Sequence, residues 1–276
     1  MKKLFALLIG LCLAFNCACA SAATFGELQN MLRNSDTEES PAEPAGQTGD
    51  AQDNGLMTLN ARDGLTVVDG NCIMKTDDYS SYIDCYVYAV IRNDGESPVP
   101  VEGEIVVTDA QGNTLADQSY LFPNPDVLAP GETAVISENL MVEKTGSVTQ
   151  PEQVAGIALT VYADSYAYST EAPAYAQVAA EITQSIDGYG STVDVVRFTL
   201  TNDTGAPLRN PHVVAAVYDA EGRLVLTLKG DTGYDTVILP EGSTLIIECE
   251  LYSSVTDYLA QTGRTLGTVE AVAYSD

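Results

Sequence analysis

Two stretches of the chain carry the same landmarks in the same order. Asn93-Asp94-Gly95 is matched by Asn202-Asp203-Thr204-Gly205, and Asp109-Ala110-Gln111-Gly112 by Asp219-Ala220-Glu221-Gly222. Further on, LAPGETAVI (128–136) is matched by LPEGSTLII (239–247), and IALTVYAD (157–164) by VEAVAYSD (269–276). The offset drifts only from 109 to 112, as when turns change length by a residue while strands keep theirs. Such self-similarity predicts a duplicated unit, and the period is too long for a solenoid, so two tandem domains are expected.

Each copy alternates with period two. Ile83, Cys85, Val87, Ala89 and Ile91 fall on one side of a stretch whose other side carries Tyr82, Asp84, Tyr86, Tyr88 and Arg92. That pattern predicts a strand with one buried and one solvated face. Val196, Phe198 and Leu200 alternate in the same way in the second copy, as do Leu245, Ile247, Cys249 and Leu251. The Asp-Ala-x-Gly units suit tight turns with glycine in the left-handed position. Neither copy shows a long helical period. The expectation is an all-β chain of two tandem immunoglobulin-like β-sandwiches, at 61–165 and 176–276, joined by a linker at 166–175.

At these landmarks the chain resembles the extracytoplasmic FxLYD domain family of bacteria. That pattern has an Asn-x-Gly turn, a strand ending near Tyr-Asp, a Gly-containing hairpin and a later Pro-Gly turn. Ala215-Ala216-Val217-Tyr218-Asp219 keeps the Tyr-Asp with Ala in the Phe position, and Ile105-Val106-Val107-Thr108-Asp109 keeps the Asp with Ile in that position. The resemblance implies an immunoglobulin-like sandwich on a secreted or surface protein, and it carries no catalytic chemistry.

The N-terminus differs in character. MKK, then LFALLIGLCLAF, then Ala18-Cys19-Ala20 before Ser21 read as a secretory signal over residues 1–20, since the apolar run is too short to span a bilayer. An alternative is lipid attachment at Cys19. Phe25, Leu28, Met31 and Leu32 have the spacing of a short helix. The segment that follows is rich in Ser, Pro, Gly and acids and reads as a disordered acidic tether, so 21–60 is expected to hold the copies away from the N-terminus. The protein is therefore expected outside the cytoplasm, secreted or at the cell surface, with no membrane span.

A formal charge of -27 excludes nucleic acid as a partner, because a polyanion binds through basic groups that release its counterions. Dispersed acidity of this kind keeps a protein soluble and favours a monomer. The single histidine, His212, opens a strand and lies near no nucleophile motif, so acyl-transfer triads and the usual zinc sets are excluded and no cofactor is expected.

Four groups remain as candidates. Cys72 and Cys85 face each other if their hairpin turns between Asp78 and Tyr79, which predicts a disulfide, with two reduced core thiols as the alternative. Cys249, among acids, reads as a small apolar residue. Asp77, Asp78 and Asp84, with Asp187 and Asp194 in the second copy, are a candidate Ca²⁺ cluster, the alternative being ordinary acidic turns. Tyr82, Tyr86, Tyr88, Tyr166 and Tyr168, with Tyr162 and Tyr175 nearby, are a candidate surface for a protein or a carbohydrate. The alternative is that these rings pack between the two copies. Together these readings point to a non-enzymatic interaction or scaffolding protein of the bacterial envelope, with a carbohydrate-binding module second and a hydrolase last.

Overall fold

A computed structural model describes residues 55–76, 79–146, 148–232 and 237–275. The expected signal, the Cys19 site, nearly all of the acidic tether, Asp77 and Asp78 lie outside the described residues. The chain is all-β. The first half contains β1 (Met57–Ala61), β2 (Leu65–Lys75), β3 (Tyr82–Asn93), β4 (Val99–Asp109), β5 (Thr114–Leu121), β6 (Val127–Leu128), β7 (Thr133–Glu143) and β8 (Val154–Ala163). The second half contains β9 (Ala174–Ile186), β10 (Thr192–Thr201), β11 (Leu208–Arg209), β12 (His212–Asp219), β13 (Leu224–Gly230), β14 (Ile238–Leu239) and β15 (Thr244–Glu250). It ends with helix α1 (Ser253–Thr262) and β16 (Leu266–Ser275).

Strand pairing repeats between the halves. β2-β3-β7 in the first corresponds to β9-β10-β15 in the second, and β8-β4-β5 corresponds to β16-β12-β13. Even the short ladders agree: Val99 pairs with Leu128 as Leu208 pairs with Leu239. In each half the facing strands enclose an apolar cluster of their own; in the second half β16 meets β9, so its strands form one six-stranded sheet folded over the cluster. Ile83, Cys85, Val87, Ala89, Ile91, Ile105, Leu128, Ile157 and Leu159 belong to the first, and Val196, Phe198, Leu200, Val213, Ala215 and Leu226 to the second. The alternation expected for β3 and β10 holds on this inward side.

Four features differ from the sequence reading. β1 forms inside the stretch assigned to the tether, because Met57 and Leu59 can pack over β2 while the backbone pairs in parallel with Ile157–Val161 of β8. A ten-residue helix, α1, stands where the first half has a single 3-10 turn at Pro151–Gln153. Its apolar spacing is short, with Val255 fully buried and Tyr258 and Leu259 half-buried on one stripe.

The third difference is the β2–β3 register. Cys72 lies opposite Val87, Met74 opposite Cys85 and Gly70 opposite Ala89, two residues away from the expected pairing. The fourth is the outward side of β3, which is not solvated. It packs with β2 and β7 against the β13-β12-β16 side of the second half's six-stranded sheet. Ile73, Tyr88 and Val90 join the second half's apolar cluster, and Val135 joins Val214, Val272 and Tyr274. Asn71 Nδ2 donates to the carbonyl of Val225 at 2.7 Å, Thr227 Oγ1 donates to the carbonyl of Ile136, and Lys75 Nζ lies 2.9 Å from Asp257 Oδ2.

Candidate functional site: turn staples, thiols and tyrosines

The duplicated landmarks are turn staples. Asn93 is fully buried; its Nδ2 donates to the carbonyls of Ser97 and Leu128, both at 2.9 Å, while its Oδ1 accepts from Gly95 N at 2.8 Å. Asn202 repeats this with Ala206 and Leu239, both at 2.8 Å, and Oδ1 accepts from Thr204 N at 3.2 Å. The left-handed glycines of the later turn close the same knot, with Gly131 N donating to the carbonyl of Asn93 and Gly242 N to that of Asn202. An asparagine is needed because one side chain must donate twice and accept at once.

The Asp-Ala-x-Gly units are the hairpin turns expected, with Gly112 at φ 81° and Gly222 at φ 77°. Asp109 Oδ1 accepts from the amides of Gln111 and Asn113, and Asp219 Oδ1 from those of Glu221 and Arg223. Asp219 goes further: its Oδ2 lies 2.6 Å from Arg264 Nε and 2.7 Å from Arg223 Nη2. Burial raises its pKa, but the hydrogen bonds from Arg223 and Arg264 outweigh that and hold the carboxyl at about 2. Arg264 also lies over the Tyr258 ring, 5.4 Å from its centre, and so ties α1 to this hairpin.

Cys72 and Cys85 share the inward face of the first half as diagonal rather than directly opposed neighbours, and both are thiols in the structure. The expected pairing fails on register. The geometric argument for a disulfide falls with it, since diagonal positions stand farther apart than opposed ones. Burial, then the neighbouring Cys72, pushes the Cys85 thiol up to about 12. Burial, then Asp231, pushes Cys249 up to about 11, which suits a half-buried packing residue rather than a nucleophile.

The tyrosines divide. Tyr88 is 5% exposed and packs between the halves, so it offers no surface to a ligand; Tyr86 is half-buried against the same cluster, and Tyr82 at the end of β3 is partly exposed. Tyr166 and Tyr168, on the connection between β8 and β9, are almost wholly exposed. Tyr162 is covered by Arg62, 4.8 Å from its ring centre, and Tyr175 packs against the layer interface. His212 stacks on Tyr274 with ring centres 5.3 Å apart, a structural placement.

Asp84 sits on β3 between Lys75 and Met141. Asp187 Oδ1 accepts from the amides of Tyr189 and Ser191, and Asp194 Oδ1 from Gln184 Nε2. These are turn and cross-strand contacts. Among the described residues no group of three or more His, Cys, Asp or Glu is placed to hold a metal, and no helix is long and apolar enough to cross a membrane.

The sequence reading passed over Asn71, Ile73, Val135 and Thr227, which carry the layer interface. The signal available was β3 itself: Tyr-x-Tyr-x-Val on its second face is more apolar than a solvated strand needs. It also passed over a difference between the copies at Leu159 and Ala271, equivalent positions in IALTVYAD and VEAVAYSD. Compared with protein-family models and with curated proteins, the chain matches none.

Proposed function

We propose that this chain is an exported, non-enzymatic interaction or scaffolding protein of the cell envelope, built from two FxLYD-like sandwiches on an acidic tether. The observation that carries this reading is how the strongest polar side chains are used. Asn93, Asn202, Asp109, Asp219, Arg223 and Arg264 are all engaged in holding turns, and both halves are locked together by Asn71, Tyr88 and Thr227. A chain whose directed polar chemistry is spent on rigidity is suited to presenting surfaces at fixed positions. Tyr166 and Tyr168 stand out from that scaffold at the junction of the halves. Tyrosine there offers contact area with a polar tip at low entropic cost.

A photo-crosslinking residue placed at Tyr168 in cells tests this. A discrete protein adduct that disappears when Tyr166 is also changed to Ala supports it. Binding on a glycan array that depends on Tyr166 and Tyr168 would instead support the carbohydrate module, which these two exposed rings favour now that Tyr88 is enclosed and Tyr86 half-buried. Neither adduct nor glycan binding would defeat both readings.

A further inference from the structure

The two halves differ at one lateral edge. In the first half, β8 is flanked on one side by β4 and on the other by β1, which runs parallel to it with Met57 opposite Ile157, Leu59 opposite Leu159 and Ala61 opposite Val161. β1 also lies over β2: a Cβ on Gly70 would stand 2.9 Å from Leu59 Cδ2. With β1 in place, Ile157, Leu159 and Val161 are at most 1% exposed.

The second half has no strand in that position among the described residues. β16 pairs with β12 along one edge, but on the other it meets only the first residues of β9, through Ala273–Ala176, Tyr274–Tyr175 and Ser275–Ala174. β9 then turns away to pair with β10 from Gln177 onward. The Leu266–Val272 edge of β16 is therefore open, and behind it the apolar lining is only half covered. Val269 and Ala271 on β16, and Val178, Ala180 and Ile182 on β9, face the core of the second half yet are half-buried. Their counterparts Ile157 and Leu159 are sealed in the first half. The connection from β8 to β9 cannot fill the gap, because β9 begins at Ala174 already paired with the end of β16.

We propose that this edge is a strand-acceptor groove that takes an extended segment of a partner protein, running parallel to β16 as β1 runs parallel to β8. The inference rests on the interaction reading above and names its site. Backbone pairing along the open edge supplies affinity, and the half-buried floor selects apolar side chains at alternate positions. Side-chain size also changes. Leu159 is replaced by Ala271, which opens room on the β16 side, while Gly70 is replaced by Ala180, which closes some on the β9 side. A Val-sized residue rather than Leu is expected at the centre of the segment. With a chain charge of -27, basic flanks are favoured.

The test uses the full mature chain and a fluorescein-labelled probe peptide, Lys-Val-Thr-Val-Asn-Val-Lys-Lys. The expected result is saturable binding with slowed amide exchange confined to Val269–Val272 and the start of β9. Ala271→Leu fills the room on the β16 side while Ala180 still occupies the space that Gly70 leaves for Leu59 in the first half, so it is expected to weaken binding by about tenfold or more while the melting temperature is kept or raised. Thr268→Lys, on the exposed side of β16, should bind the probe no worse.

Protection at β8 instead of β16, no protection at millimolar probe, or binding unaffected by Ala271→Leu would each overturn the proposal. So would a concentration-dependent dimer of the mature chain abolished by Ala271→Leu, since the occupant would then be a second copy. Failure here with the Tyr168 adduct intact would leave the broader interaction reading standing.

Discussion

Asp219 illustrates how a single residue joins distant segments. Its carboxylate holds the β12–β13 turn and receives Arg264 from beyond α1. A carboxyl held at about 2 when folded, against about 4 when unfolded, stabilises the fold fully above pH 4 and loses that contribution as pH falls toward 2. The difference corresponds to roughly 2 kcal/mol. Asp219→Asn should therefore lower the unfolding free energy measured in urea at pH 7 by that order, and the gap between the two proteins should close near pH 2. A gap that persists unchanged at pH 2 would show that charge is not the cause. The thiols give a second residue-scale expectation. With Cys72 and Cys85 diagonal rather than opposed, denatured, unreduced protein should label at all three thiols that the structure contains, whereas native Cys85 at pH 8 should resist maleimide because burial suppresses its thiolate. A count of one would mean that the hairpin can shift enough to bond.

At the scale of elements, alternation made the inward faces of β3 and β10 readable, because burial on one side selects side chains at every second position. The same signal cannot distinguish registers two residues apart. A slip of two keeps every side chain on its face, which is why the β2–β3 pairing was misplaced while its apolar stripe was not. β1 was hidden because a five-residue strand with two inward apolar groups resembles tether composition. Helix α1 was hidden for a related reason, since Val255, Tyr258 and Leu259 make a stripe shorter than two turns. Its end is nonetheless encoded: Gly263 takes φ 67°, and its amide donates to the carbonyl of Leu259. Gly263→Ala should cost about 1 kcal/mol through backbone strain. A double mutant with Arg264→Ala should show non-additive loss, since both residues fix how α1 meets the Asp219 hairpin. Strict additivity in chemical denaturation would mean that the helix end and the arginine act separately.

Across the whole molecule, the decisive feature is that the β2-β3-β7 sheet is covered on both sides. Sequence alone could not assign its second face, because Tyr86 and Tyr88 have enough polar character for solvent and enough apolar area for a core, and the choice depends on a sheet more than 100 residues away. The complementary face carries Val214, Ala216, Val225 and Val272, with Asn71 and Thr227 supplying hydrogen bonds across the contact. Contacts of this kind predict that the halves unfold together. Tyr88→Ala removes a nearly sealed ring and should lower stability by roughly 3 kcal/mol. Because the ring joins the second half's cluster while its backbone belongs to the first, the loss should also separate one calorimetric transition into two. A single transition simply shifted to lower temperature would mean that Tyr88 supports only its own sheet and that Ile73, Val90 and Val135 hold the halves together without it.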